Sequence, residues 1–238
     1  MRIDVIHANV PPRGKLSEAR IKSIKTAGLP GTEIVIRLPD KGVTSISSRY
    51  EDALSAPGVL AMTLQAERDG ADAVVINCTA DTGVEAAREA VSIPVIGVSE
   101  ASFYLAAQLA HRFSVLTFAD RTALRFETMA HQWNLSHKLA SVRSVEMPLE
   151  TSFDEAELAG RLAQAAQACV TQDGAHLLIL GCTDFERVSD LLTKQLAAIG
   201  ICLPIVQPFL VGVQLAESLV TMGLSFSKLT YPKANLKS

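Results

Sequence analysis

Ala71-Asp72-Ala73-Val74-Val75-Ile76-Asn77-Cys78-Thr79 is an apolar run that ends abruptly in an amide, a thiol and a hydroxyl. Ala175-His176-Leu177-Leu178-Ile179-Leu180-Gly181-Cys182-Thr183 repeats that plan 104 residues later. A short, nearly unbroken apolar run reads as a strand buried on both faces, as in parallel sheets covered by helices. Such a strand delivers the residues after its last apolar position to the carboxyl edge of the sheet, where open α/β sheets place their ligand sites. Each copy therefore predicts a thiol at a sheet edge, and the pair predicts two thiols facing one another.

Outward from these runs the repetition continues. Arg112-Phe113-Ser114-Val115-Leu116-Thr117 echoes Arg2-Ile3-Asp4-Val5-Ile6-His7 at an offset of 110, and the proline of Ile201-Cys202-Leu203-Pro204-Ile205-Val206 stands 110 residues after Pro94. Landmarks recurring in the same order point to an internal duplication, two βα half-molecules each with a small parallel sheet. Strands are expected at 3–7, 32–38, 71–79 and 91–97, and again at 112–117, 142–147, 175–183 and 201–206. Helices are expected at 16–26, from the capping-box pattern Ser48-Arg49-Tyr50-Glu51 onward, at 121–133, 154–171, 185–198 and 209–223. Ala56-Pro57-Gly58 is read as punctuation that interrupts the helix begun at Ser48. The loop Asn9-Val10-Pro11-Pro12-Arg13-Gly14 follows the first strand. No strand follows the last helix, so it is expected to pack back on the first half. The domain boundaries this implies are 1–98 plus 208–238 for domain one and 99–207 for domain two, with the active site in the cleft where the chain crosses.

Composition excludes several classes. The chain has 238 residues with 22 basic and 25 acidic side chains, a net charge of -3, which is no field for nucleic acid. No apolar run approaches the roughly 18 residues of a membrane span, and the start Met1-Arg2-Ile3-Asp4-Val5-Ile6 is no signal peptide. A cytoplasmic protein without nucleic-acid or membrane partners is expected, its four cysteines free thiols. His7, His111, His131, His137 and His176 have no metal-ligand spacing with the cysteines, so no metal is expected. No phosphate loop, dinucleotide fingerprint or pyridoxal context stands out, so no cofactor is expected either.

The thiols carry the chemistry. Thr183-Asp184-Phe185-Glu186 fits a capping box with Thr183 as N-cap, and Thr82-Gly83-Val84-Glu85 fits the same pattern beyond Cys78. Both cysteines would then sit just before helix starts, where the positive end of the helix favours thiolate and backbone N–H groups can hold an enolate-like oxygen. Two thiols on opposite sides of one pocket suit removal of a proton from one face of a carbon and delivery to the other, which is racemisation. Such a carbon acid needs an adjacent carbonyl. Cys169, inside a helix, and Cys202, in a strand, are read as packing residues.

At these residues the chain resembles the aspartate/glutamate racemase superfamily, and in particular its hydantoin racemase branch. Leu180-Gly181-Cys182-Thr183-Asp184-Phe185 looks like the second-cysteine motif of aspartate and glutamate racemases, in which Glu or His follows the Cys-Thr pair; Asp184 occupies that slot. Ser45-Ile46-Ser47-Ser48-Arg49-Tyr50-Glu51-Asp52-Ala53, with Ala56-Pro57-Gly58 after it, is similar to a stretch common in hydantoin racemases, and Gly223-Leu224-Ser225-Phe226-Ser227-Lys228 resembles their tail. The resemblance implies two pseudo-symmetric α/β domains, cofactor-independent catalysis by two cysteines, and a homo-oligomer. Carried over by position, Cys78 and Cys182 are the acid/base pair, and Thr79 and Thr183 with their backbone amides are substrate-binding residues. Asn9 matches the asparagine of the family's first loop, although His7-Ala8-Asn9-Val10 departs from the usual Asn-Pro-Asn-Thr form. Ser45 and Thr117 are further binding candidates, and Asp184 is an accessory or orienting group. The expected substrate is a 5-substituted hydantoin or a related small carbon acid. The alternatives are an aspartate/glutamate-type amino-acid racemase, an enzyme like maleate isomerase or arylmalonate decarboxylase, and a non-catalytic binder of small anions.

Overall fold

The computed structural model describes residues 1–11, 14–147 and 154–234. Pro12 and Arg13 of the expected first loop lie outside the described residues. The chain divides into two compact units, Met1–Val98 with Phe209–Ser238, and Ser99–Pro208.

The first unit runs β1 (Arg2–Ile6), α1 (Glu18–Lys25), β2 (Glu33–Arg37), α2 (Arg49–Arg68), β3 (Ala73–Ile76), α3 (Val84–Ala90) and β4 (Val95–Gly97). Then come α4 (Val98–Leu109), β5 (Phe113–Thr117), α5 (Asp120–Gln132), β6 (Leu139–Ser144), α6 (Glu155–Thr171), β7 (Leu178–Leu180), a 3-10 helix (Thr183–Val188), α7 (Ser189–Ala198) and β8 (Ile205–Val206). The final helix, α8 (Pro208–Met222), belongs almost wholly to the first unit. Among the described residues no helix is long and apolar enough to cross a membrane.

Each unit holds a four-stranded sheet, ordered β2-β1-β3-β4 in the first and β6-β5-β7-β8 in the second, with all pairs parallel. The duplication extends to individual rungs. Ile6 lies opposite Ile76 as Leu116 lies opposite Leu180, and Val74 opposite Val95 as Leu178 opposite Ile205. The central strands β3 and β7 are buried at every residue, as their unbroken apolar runs require.

An ion pair is duplicated as well. Arg37 on edge strand β2 binds Asp69 just beyond α2 at 2.6 Å, and Arg143 on edge strand β6 binds Asp173 just beyond α6 at 2.6 Å. In both copies the pair fastens the outermost strand to the turn that feeds the cysteine strand. Asp173 is held below the usual carboxylate range first by Arg143 and further by the Ser141 hydroxyl, against an opposing push from partial burial. A folded-state pKa lowered in this way contributes stability above the unfolded value of about 3.9, and that stability disappears as pH falls through the folded value. Asp173→Asn is therefore expected to cost about 1 kcal/mol near neutrality. Thermal melts should show the difference from the unaltered protein closing at the acid end; a difference that stays constant down to the acid end would remove this account of the pair.

Several elements differ from the sequence reading, for local reasons. Helix α2 is continuous from Arg49 to Arg68 with Pro57 inside it, because Ser55, Val59, Thr63 and Ala66 form one buried face that outweighs the missing N–H. The expected strand at 142–147 is shifted to Leu139–Ser144. Val145 and Met147 still donate backbone hydrogen bonds to Thr117 and Phe118, but Glu146 between them has φ of 47° and ends the regular strand. Helix α4, with Phe103 and Ala106 fully buried, has no counterpart in the sequence reading. On α8, buried Glu217 accepts hydrogen bonds from the Leu29 N–H at 2.7 Å and the Thr32 hydroxyl at 2.6 Å, securing the helix to the α1–β2 turn. The tail beyond it covers α3, where the buried Arg88 guanidinium stacks 3.7 Å from the Phe226 ring and donates to the Tyr231 hydroxyl.

Candidate active site

The first cysteine turn grows directly out of the sheet. The Asn77 N–H donates to the Ile6 carbonyl at 2.8 Å, continuing the β1–β3 ladder one rung, after which the Cys78 N–H turns back to the Ile76 carbonyl at 2.9 Å. Cys78 is half-buried. The chain closes the turn when the Asp81 N–H meets the Cys78 carbonyl at 2.9 Å, with Asp81 in the left-handed region at φ of 50°. Its carboxylate lies over Gly97, where a Cβ would stand 2.6 Å from Oδ2, so a side chain there would have to displace the Asp81 carboxylate. Thr82 does not cap α3. Left-handed Gly83 is the N-cap residue, and the Thr82 hydroxyl instead lies 2.6 Å from Asp52 Oδ1 on α2 and 3.8 Å from Cys78 Sγ.

Loops from the neighbouring strands lie beside this turn in the sheet order. Asn9, beyond β1, donates from Nδ2 to the Thr44 carbonyl at 2.9 Å, and Val10 donates to Val43, joining the loops that leave β1 and β2. Ser45 comes after them, half-buried. Next is the Ser48–Glu51 capping box of α2. Burial pushes the Glu51 carboxyl up, but hydrogen bonds from the backbone and hydroxyls of Ser47 and Ser48 outweigh it and hold the group below its ordinary value. Asn9, Ser45, Cys78 and Thr79 thus all leave the carboxyl ends of the adjacent strands β2, β1 and β3. His7 and Asn77 also meet there, Asn77 Nδ2 lying 3.2 Å from His7 Nε2, both buried.

The second turn reaches the equivalent position by a different route. The Gly181 N–H donates to the Leu116 carbonyl at 2.6 Å, the counterpart of the Asn77 bond. A Cβ on Gly181 would stand 2.5 Å from that carbonyl oxygen and 2.9 Å from a Val115 methyl, so the position that holds asparagine in the first turn admits only glycine in the second. Half-buried Cys182 then has the extended backbone of an N-cap residue, and its own sulfur accepts the Asp184 N–H at 3.4 Å. The expected Thr183 capping box is therefore replaced. The cap falls one residue earlier and opens a tight 3-10 turn, closed by the Phe185 N–H on the Cys182 carbonyl at 3.1 Å. Phe185 is fully buried against Phe118, with ring centroids 4.3 Å apart; Thr183 is buried and Asp184 exposed. Thr117 ends β5, and its buried hydroxyl pairs with that of Thr122 at 2.6 Å. Because Thr122 donates to the Ala119 carbonyl, Thr117 donates to Thr122, so this hydroxyl serves the start of α5.

The remaining cysteines stand apart from these turns. Cys169 is buried in α6, and burial pushes its thiol up. Cys202 is exposed and precedes β8, which corrects its reading as a packing residue in a strand. Its extended segment turns Ile201 and Leu203 toward the core and Cys202 outward. Among the described residues no group of three or more His, Cys, Asp or Glu side chains is placed to hold a metal. The sequence reading missed Thr82 as a neighbour of the Cys78 sulfur, Asp52 as the partner of Thr82, and His7 and Asn77 as a pair. Asp52 looked like an ordinary first-turn helix acid, and nothing local joins it to a residue 30 positions away.

The family model described as Asp/Glu/Hydantoin racemase matches residues 18–216. The hydantoin racemase of Pseudomonas sp. (strain NS671) is 34% identical over 231 residues, 96% of this chain and 90% of that protein. Among solved structures, the allantoin racemase from Klebsiella pneumoniae superimposes with a TM-score of 0.84 at 31% identity, covering 100% of this chain and 96% of the other. The allantoin racemase from Pseudomonas fluorescens gives 0.86 at 30% identity, covering 100% and 99%.

Proposed function

The chain belongs to the Asp/Glu/hydantoin racemase family, and from that membership we propose that it racemises 5-substituted hydantoins with Cys78 and Cys182 as the two acid/base groups. The observation that carries this reading is the matched placement of the two thiols. Each comes after the last rung of a central parallel strand, in equivalent registers, and each is half-buried at a strand-to-helix turn, whereas Cys169 is sealed in a core. In the proposed reaction one cysteine, as thiolate, takes the hydrogen from C5 and becomes a thiol. The electron pair left on carbon delocalises onto the neighbouring carbonyl oxygen. The other cysteine, as thiol, gives its proton to the opposite face and becomes the thiolate, so the roles exchange between turnovers in opposite directions. Thr79 and Thr183, with their backbone amides, are proposed to hold the ring carbonyls, where a hydrogen bond strengthens as charge develops on oxygen. Asn9 and Ser45 are proposed to bind the ring from the β1 and β2 loops, with Asp184 orienting the second turn.

Hydantoin is favoured over an amino acid because the relatives that match nearly the whole chain bear the names hydantoin racemase and allantoin racemase. Allantoin is itself a hydantoin with a ureido group at C5, so both names describe one ring. The test is loss of optical activity from single enantiomers. A 5-substituted hydantoin should racemise well above its spontaneous rate, while L-aspartate and L-glutamate keep their rotation. Racemisation of the amino acids but not the hydantoins would overturn the substrate assignment.

A further inference from the structure

Although the two turns are built on equivalent strands, the groups behind their sulfurs differ. Behind Cys78 stands a chain of two oxygens, the Thr82 hydroxyl 3.8 Å from Sγ and the Asp52 carboxylate 2.6 Å beyond it. Thr82 is 1% exposed, so water does not compete freely for its single proton. A hydroxyl has one proton to donate, and a carboxylate oxygen at 2.6 Å is a far stronger acceptor than sulfur at 3.8 Å. Thr82 therefore donates to Asp52, which leaves an oxygen lone pair toward Cys78. A thiol can donate its S–H to that lone pair. A thiolate would face the lone pair with a carboxylate behind it, and both disfavour negative charge on sulfur.

The second turn has the opposite arrangement. Cys182 Sγ accepts a backbone N–H, that of Asp184 at 3.4 Å, a contact that favours the charged form. At the repeat offset of 104 that separates the two cysteines, Ala156 stands where Asp52 does and Glu186 where Thr82 does, so the Asp–Thr pair is not repeated at the equivalent positions. Asp81 lies in the Cys78 turn, and Asp184 and Glu186 lie in the Cys182 turn.

We propose that the Asp52–Thr82 pair makes Cys78 the resting thiol, so that the free enzyme begins with Cys182 as thiolate base and Cys78 as proton donor. Asp52 acts through Thr82 and is a positioning residue. This rests on the two-cysteine reading, which it refines by assigning the starting roles. In the first half-reaction the C5 proton passes to Cys182 Sγ and the Cys78 proton passes to carbon. The enzyme is left with the roles reversed until solvent exchange or a turnover in the other direction restores them.

The test needs no substrate. Peptide-resolved alkylation by iodoacetamide between about pH 6 and 10, on the full chain, reports the ionisation midpoint of Cys78 in Cys182→Ser and of Cys182 in Cys78→Ser. Cys182 should ionise at the lower pH. Adding Asp52→Asn should lower the Cys78 midpoint and raise its alkylation rate near neutrality by about tenfold, leaving the Cys182 midpoint where it was. Thr82→Ser, which keeps the hydroxyl, should leave the Cys78 midpoint unchanged. If Asp52 merely braced the turn, its replacement would scale the Cys78 rate equally at every pH without moving the midpoint, and that result overturns the proposal. So does a Cys78 that ionises below Cys182, a comparison that holds even if Asp52→Asn does not fold. A protein that shows the shift but racemises no hydantoin contradicts the substrate assignment alone.

Discussion

Replacing Cys182 with alanine is expected to lower net hydantoin racemisation by at least about 10³-fold, within the range that positioned acid/base groups contribute. Cys78→Ala should have an effect of similar size, and the double variant should be little worse than either single one, because two groups acting in one proton-transfer sequence are not additive. The two variants should still differ from each other. With Cys78 gone, Cys182 remains as a base and can exchange the C5 hydrogen of the one enantiomer that presents it, without inversion. With Cys182 gone, the proposed resting role of Cys78 as a thiol beside Thr82 predicts that both exchange and inversion fall. Neither change should unfold the protein, since both sulfurs are half-buried at turns rather than sealed in a core. Full racemisation in either variant, measured by polarimetry, would remove that thiol from the chemistry.

Gly181→Ala is expected to be the most damaging single substitution outside the cysteines. The added Cβ would stand 2.5 Å from the Leu116 carbonyl oxygen and 2.9 Å from a Val115 methyl, both on the central strand β5, so relief requires the backbone to move. Overpacking of this kind costs about 1–3 kcal/mol. The motion also falls on the residue beside Cys182, where a displacement of about 1 Å can cost on the order of 10²-fold in rate. Asn77→Ala, the corresponding position of the first turn, adds no atoms and should leave a more active enzyme than Gly181→Ala. Equal activity for Gly181→Ala and the unaltered protein would show that the β5–β7 approach is looser than these distances imply.

Much of the fold was legible because it rests on local patterns. The apolar runs that end at Cys78 and Cys182 are central strands, and the offsets of 110 and 104 reappear as matched rungs of two parallel sheets. Tertiary context decided the features that escaped. Pro57 does not break α2, because the buried face around it is continuous. The capping boxes at Thr82 and Thr183 fit the expected patterns, yet Gly83 and Cys182 take the cap positions. A pattern of residue types cannot tell which of two neighbouring residues adopts the cap geometry. The link from Asp52 to Thr82 joins a helix start to a strand-end turn, and neither stretch predicts its partner. The asymmetry between Asn77 and Gly181 is visible in the sequence; its steric cause, the close approach of Leu116, is visible only in the structure.

Action of two thiols on opposite faces of one carbon is tested most directly by following deuterium during the first few per cent of racemisation of a single hydantoin enantiomer in D2O. A two-cysteine enzyme delivers its proton from a thiol that has exchanged with solvent, so newly formed product should carry one deuterium at C5 while recovered substrate retains its hydrogen. Early product that keeps the substrate's own hydrogen, or substrate that exchanges faster than it inverts, would mean that one group both removes and returns the proton, and would contradict the account.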